Sequence, residues 1–251
     1  MTAVQQTTES LRGLRLSVMA ETYECQWQTP SLQETSFDAR FAMIVESEVS
    51  HRTNRKLKRL VASAHMPELA TIEELDMKAS RGLEKPVITG LATCEWIRNH
   101  LNLLILGPTG VGKTFLACAF GTEACRRRLS VSFRKVSDLL DDIASSEIDG
   151  SLAKLKNSLS KPDLLILDDL GIGTISDGAA EFLLSVVDRR MRSTSLLITS
   201  QWPTEAWHEF FPDPTVADAI LDRVVHAAHR VSISGESMRK QQGKKRLNKS
   251  S

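Results

Sequence analysis

Gly107-Pro108-Thr109-Gly110-Val111-Gly112-Lys113-Thr114 lies between the apolar run LLIL at 103–106 and the helix-forming stretch FLACAF at 115–120. The spacing is GxxxxGK followed by Ser or Thr. Glycines let backbone N–H groups turn inward around phosphate oxygens, a lysine meets the β- and γ-phosphates, and a hydroxyl meets a divalent cation. A helix leaving such a loop adds the free amides of its first turn to the same anion. The residue pattern therefore assigns Gly107, Pro108, Thr109, Gly110, Val111, Gly112, Lys113, Thr114 and the adjoining Phe115 to nucleotide binding. ATP is the expected nucleotide and Mg2+ the expected metal, with Thr114 as one of its ligands.

Around this loop the chain alternates strand-like and helical stretches. Strand-like stretches at 103–106, 131–134, 164–167, 196–199 and 231–233, three of them apolar runs and two alternating, predict five strands. Helical patterns at about 113–127, 136–145, 176–191 and 215–228 separate them. Such alternation predicts an α/β fold of the P-loop NTPase type, a parallel sheet covered by helices on both faces.

Ligands of such sheets gather at the C-terminal ends of the strands. Two further runs end there in polar groups. Leu164–Leu167 runs into Asp168-Asp169, which predicts a buried strand delivering carboxylates to that edge. Asp168 is the expected second ligand of Mg2+, and Asp169 the expected base for water attacking the γ-phosphate. Leu196–Ile198 runs into Thr199-Ser200. If that strand lies between the other two, either hydroxyl could hold the attacking water. Phosphoryl transfer also wants a cation beyond the γ-phosphate, often from a neighbouring subunit. Arg223, in ILDRVVH, is the first candidate, with Arg189 and Arg190 behind it and Arg239 of the SMRK segment as a cation from the same subunit.

Outside this region the sequence is helical. Residues 7–25 read as one helix, and Ser36 reads as the cap of a long amphipathic helix from about Phe37 to Ala64. Phe37, Phe41, Ile44, Val45 and Val49 form its apolar stripe. Arg52, Arg55, Lys56 and Arg59 share one face of its last turns, a row suited to successive phosphates without base readout. The expected organisation is a helical DNA-binding or interaction domain at 1–65, a linker at 66–100, an ATPase domain at 101–235 and a basic tail at 236–251.

Composition limits what else the chain can do. It has 251 residues, 41% hydrophobic and 25% charged, with a net charge of +1. That is a globular composition with enough length for a core. No apolar run nears the ~20 residues of a membrane span. The first ten residues have neither the basic nor the apolar part of a signal peptide. Four scattered cysteines without a CxxC pair argue against a zinc site or a disulfide framework. A cytoplasmic, nucleoid-associated protein is the expectation.

GPTGVGKTFLA, LLILDDLG, LLITSQWP and ILDRVVH, preceded by LRGLRLSVMAETYE, resemble the IstB transposition helper ATPases of bacterial insertion sequences. The chain is similar also to the DnaC helicase loaders within the AAA+ class. The resemblance spans almost the whole chain. It implies an AAA+ ATPase that assembles with itself on double-stranded DNA, without sequence specificity, and engages a transposase. It also implies ATP–Mg2+ at Lys113, Thr114 and Asp168, a sensor at Thr199 or Ser200, and a finger at Arg223. Where such ATPases commonly carry Glu after the Mg2+ aspartate, this chain has the shorter Asp169. About eighteen residues follow the last predicted strand, too few for a full helical lid. Two alternatives stand beside this expectation, a helicase loader and a P-loop small-molecule kinase.

Overall fold

The structure is a computed structural model describing residues 2–32, 34–77, 82–226, 228–238 and 240. The chain divides into two compact units, Met1–Arg59 and Leu60–Ser251.

The first unit is helical: α1 (Ala3–Gly13), α2 (Ser17–Gln28) and most of α3 (Phe37–Ala64). The single helix expected over 7–25 is in fact two. Gly13 weakens the first, and Arg15 enters the left-handed region at φ 61°. The break leaves the first amides of α2 unpaired, and its N-cap position, Leu16, has no side chain to serve them. Glu48 of α3 serves instead, its Oε2 accepting the Val18 and Met19 N–H groups, each at 3.1 Å. The Arg52 guanidinium, donating to its other oxygen at 2.7 Å, is the main cause that lowers the Glu48 carboxyl below its ordinary range. The expected apolar stripe of α3 also divides. Ile44 is buried, whereas Phe37, Phe41, Val45 and Val49 are exposed. One row drifts around an α-helix, and only the side facing α2 is covered.

The second unit holds the sheet. After α4 (Lys85–Leu91) and α5 (Glu95–Arg98) come β1 (Asn102–Leu106), α6 (Lys113–Arg126), β2 (Val131–Lys135), α7 (Val136–Asp149) and α8 (Leu152–Ser160). β3 (Leu164–Leu170), α9 (Asp177–Arg190), β4 (Ser195–Ser200), α10 (Pro214–Val225) and β5 (Ala228–Ser232) follow. All pairings are parallel, in the order β2-β3-β4-β1-β5. β1, β3 and β4 are buried over nearly their whole length, which is why they read as continuous apolar runs. β5 begins three residues before the run at 231–233. At the sheet edge only Val231 of its residues turns inward, so it carries no such run.

Two features aim groups at the C-terminal edge. β4 does lie between β3 and β1, bringing Ser200 beside Leu106. β3 is also irregular there. Its register against β4 shifts between Leu167 and Leu170, and Asp169 sits at φ 61°. Adjacent residues of a regular strand point to opposite faces, and an irregularity of this kind re-aims one of them.

Candidate functional site

The loop after β1 needs its glycines for space as well as for conformation. Gly107 has φ 151°, and a Cβ there would lie 2.1 Å from the Ile233 carbonyl oxygen. A Cβ on Gly110 would lie 2.4 Å from Ser237 Oγ, and the Gly110 carbonyl accepts the Met238 N–H at 2.8 Å. The chain leaving β5 is thus laid along the outside of the loop. Inside is a cavity of about 510 Å³. Thr109, Gly110, Lys113 and Thr114 line one side and Asp169, Ile172 and Met238 another. Glu68, Glu74, Leu75 and Asp76, from the segment expected to be a linker, close it further. Lys113 is the first residue of α6; its ammonium is buried and donates to the Pro108 carbonyl at 3.1 Å.

Beneath the loop lies the acidic end of β3. Asp168 is 3% exposed. It accepts the Thr114 hydroxyl at 2.9 Å and the Thr199 hydroxyl at 2.6 Å. Burial pushes its carboxyl above the usual aspartate range; the two hydroxyls and Lys113 oppose this, while neighbouring Asp169 adds to it. Thr114 and Asp168 are the two expected magnesium ligands, and they meet. A hydroxyl and a carboxylate are hard oxygen donors, and Mg2+ asks for one or two such groups with phosphates and waters completing its shell. No cluster of three or more His, Cys, Asp or Glu among the described residues offers a rival metal site.

Thr199 and Ser200 are placed differently from the expectation. Thr199 gives its proton to Asp168 and accepts the Asp169 N–H at 2.9 Å. Ser200 gives its proton to the Leu170 carbonyl at 2.7 Å and is fully buried. Both hydroxyls tie β4 to the irregular end of β3, and neither has a proton left for water. The polar group of β4's end that reaches the loop is Gln201, whose Oε1 accepts the Thr109 hydroxyl at 2.6 Å. The sequence signal was the next residue along, one position beyond the strand. Asp169, re-aimed by its left-handed backbone, does line the cavity.

The arginine candidates separate clearly. Arg190 is 1% exposed and gives its two terminal nitrogens to the carbonyls of Leu159 and Ser195, each at 2.6 Å. Burial pushes its guanidinium down to about 10. It fastens the end of α8 to the start of β4 and cannot act as a finger. Arg189 is exposed and donates to Asn157 Oδ1 at 3.0 Å. Arg223 is half-buried, paired with Asp188 of α9 and donating to the Ala219 carbonyl at 2.6 Å. Its own carbonyl, with that of Val224, accepts from Asn102 at the first residue of β1. The phosphate loop leaves the other end of β1, and five strand residues span about 16 Å. Arg223 therefore cannot reach the nucleotide of its own subunit. Arg239 lies outside the described residues, as do 241–251 of the basic tail.

In the first unit, Arg55, Lys56 and Arg59 are exposed along the last part of α3. Arg52 is exposed too but committed, holding Glu48 and the Arg15 carbonyl, the latter at 2.9 Å. No helix among the described residues is long and apolar enough to cross a membrane.

Comparison with known proteins agrees with this geometry. The family described as IstB-like ATP binding protein matches residues 9–246. An insertion sequence ATP-binding protein of Sinorhizobium fredii is 39% identical, over 95% of this chain and 98% of that protein. The IS232 ATP-binding protein of Bacillus thuringiensis is 31% identical, over 94% of each. Among solved structures, DnaI superposes with a TM-score of 0.58 at 19% identity, covering 70% of this chain and 94% of that one. The DnaC helicase loader gives 0.51 at 20% identity, covering 59% and 87%. The structural likenesses speak to the fold, a P-loop AAA+ domain. A match from residue 9 to residue 246 takes in most of the helical unit and the whole nucleotide cavity, and the chain belongs to the IstB-like ATP-binding proteins of insertion sequences.

Proposed function

We propose that this chain hydrolyses ATP with Mg2+ as a self-assembled, DNA-bound helper of an insertion-sequence transposase. One observation carries the enzymatic half. The buried Thr114–Asp168 pair meets directly beneath a phosphate loop, with a second carboxylate, Asp169, lining the cavity above. In this reading the loop amides and Lys113 hold the β- and γ-phosphates. Lys113 exchanges the Pro108 carbonyl for a phosphate oxygen. Thr114 and Asp168 hold Mg2+, which supplies charge neutralisation at the phosphates. Water attacks the γ-phosphorus as the bond to the β-phosphate oxygen breaks, and Asp169 takes the water's proton, leaving ADP and inorganic phosphate. Gln201, already bonded to the loop at Thr109, is better placed than Thr199 or Ser200 to sense the γ-phosphate.

Arg223 completes the site in trans. Its distance from its own loop leaves only a neighbour's nucleotide within reach. Arg55, Lys56 and Arg59 meet double-stranded DNA at its phosphates, which predicts affinity without sequence preference. Likeness to insertion-sequence proteins over nearly the full length, at 31 and 39% identity, favours a transposase as partner. The helicase-loader reading draws only on likenesses near 20% identity, and the kinase reading gives the basic helix no task.

Mixing inactive variants tests the assembly. Lys113→Ala and Arg223→Ala should each lack ATPase activity and ATP-dependent growth on duplex DNA. Mixed, one interface in each hetero-pair unites an intact loop with an intact arginine, and activity should partly return. An arginine finger is worth ~10³–10⁵ in rate. Full ATPase activity in Arg223→Ala alone would remove the trans site. Unchanged ATP binding by Lys113→Ala would remove the phosphate loop.

A further inference from the structure

Three charged residues in succession, Asp188-Arg189-Arg190, close α9, and each meets a different neighbour. Arg190 is buried and fastens the helix end to β4 through the Ser195 carbonyl. Arg189 meets Asn157 at the surface. Asp188 reaches across to α10, where its Oδ1 lies 2.5 Å from Nε of Arg223. The Nε–H is not aligned on the carboxylate, so opposite charge and not a hydrogen bond makes this contact.

Arg223 is placed from three directions. Its carbonyl and that of Val224 accept Asn102 Nδ2 at 3.3 and 3.1 Å. Asn102 is itself fixed, its Oδ1 accepting the Leu196 N–H at 3.0 Å. The last turn of α10 is thereby pinned to the first residues of β1 and β4. Within the helix, Nη1 of Arg223 donates to the Ala219 carbonyl at 2.6 Å. Asp188 takes the third position, at Nε. Among the described residues, only Nη2 of this guanidinium is left without a partner. The ends of α9 and α10 are tied to the adjacent residues Ser195 and Leu196 of one strand, so the Asp188–Arg223 pair spans a rigid frame. Arg223 also lines an open cleft of about 730 Å³ with His208, Asp218 and Arg230, which leaves it reachable from outside.

Stability does not account for the pair. The two side chains are 48 and 29% exposed, and an ion pair that open to water contributes little. What the pair supplies is direction. A free arginine must give up rotamer freedom each time it meets a phosphate, whereas one already held at Nε presents its outer edge in a fixed orientation. We propose that Asp188 is a positioning residue for Arg223, aiming the guanidinium outward so that Nη2 meets the γ-phosphate held by a neighbouring subunit. The inference rests on the trans reading of Arg223, and Asp188 itself touches no nucleotide. A carboxylate that instead held the arginine back would slow hydrolysis, so the two roles predict opposite signs for its removal.

The test is ATP hydrolysis by the full chain on duplex DNA. At saturating Mg–ATP, Asp188→Ala should lower kcat roughly 2- to 10-fold, the usual worth of ordering one long side chain. KM for ATP should keep its wild-type value, since the variant's own phosphate loop is untouched. Asp188→Asn should match Asp188→Ala, because charge makes the contact, and Asp188→Glu should recover most of the rate. Thermal melts by circular dichroism should show all three folded. Asp188→Ala should not lower the residual rate of Arg223→Ala any further, since its only route is through that arginine. Lys113→Ala chains carry an intact Asp188–Arg223 pair without a working loop. Adding them should raise the activity of each Asp188→Ala chain, and adding chains with both Lys113→Ala and Arg223→Ala should not.

An Asp188→Ala rate equal to or above wild type overturns the proposal, as does a loss that adds to that of Arg223→Ala. So does a mixture whose chains sediment together but show no rise, which would confine the effect of Asp188 to its own subunit. The two readings fail separately. Full activity in Arg223→Ala removes the trans site and Asp188 with it, whereas an inactive Arg223→Ala beside a normal Asp188→Ala removes the positioning role alone.

Discussion

Asp168 is where stability and function should pull in opposite directions, and Asp168→Asn separates them. The carboxylate is 3% exposed and has lost most of its hydration. Two hydroxyls and the Lys113 charge return part of that loss, but burial dominates and the carboxyl sits above its ordinary range. Asparagine keeps the shape. Its Oδ1 can accept the Thr199 hydroxyl and its Nδ2 can donate to Thr114 Oγ1, so the polar contacts of the native pair survive the swap. What leaves is the desolvated charge. Each unit by which the fold raises a carboxyl costs about 1.4 kcal/mol once the group is ionised. Each kcal/mol moves Tm by ~2–4 °C in a chain of this size. Nucleotide-free Asp168→Asn should therefore melt higher than wild type at pH 7.5. The gap should also depend on pH. Well below the ordinary aspartate value of about 3.9, Asp168 is protonated in both folded and unfolded chains and the gap should be smallest. As pH rises past the unfolded value, the unfolded chain gives up the proton first and the folded one holds it. The wild type then loses stability until the folded group has ionised too, and the gap is largest above that point. Adding Mg2+ and ATP at 100 times Kd should reverse the order. The wild type gains ~2.7 kcal/mol from ligand binding, and the variant, without its magnesium ligand, gains little. Calorimetry across about pH 3–8, with and without Mg–ATP, reads both effects. A nucleotide-free variant that melts lower than wild type at pH 7.5, or a gap that ignores pH, would refute the account of Asp168.

Asp169→Asn should leave ATP-dependent DNA binding in place while slowing hydrolysis by ~10²–10⁴-fold, the usual worth of a general base; a normal single-turnover rate would take the base role from Asp169. Replacing Arg55, Lys56 and Arg59 together by Ala should weaken duplex binding equally on every sequence and flatten the log–log salt slope by roughly one for each phosphate left without its cation. ATP affinity should stay as it was, and a wild-type slope would move the DNA-binding surface elsewhere in the chain.

The legible parts of this protein are those in which local chemistry and tertiary role coincide. GPTGVGKT needs its glycines and lysine wherever it occurs, and the runs at 103–106, 164–167 and 196–199 are apolar throughout because both faces of a central parallel strand are buried. That the run at 196–199 lies between the other two is only a condition at the level of sequence, and the sheet order β3-β4-β1 meets it. The illegible parts depend on neighbours distant in the sequence. Nothing local distinguishes Arg189 from Arg190, yet one meets solvent and the other fills the junction of α8 and β4. Thr199, Ser200 and Gln201 are three consecutive polar residues. Only the irregular end of β3 decides that the first two spend their protons on it while the third reaches Thr109. The Phe37–Val49 stripe reads as the apolar side of a helix by its period, and periodicity does not report whether anything covers that side. Sequence alone determined the nucleotide loop, the acidic strand and the sheet that joins them, since each is imposed by backbone geometry and burial within a few residues. Tertiary structure decided where each hydroxyl gives its proton, which arginine is buried and which apolar row is left bare, since hydrogen-bond partners and solvent access are properties of a residue's surroundings and not of its type.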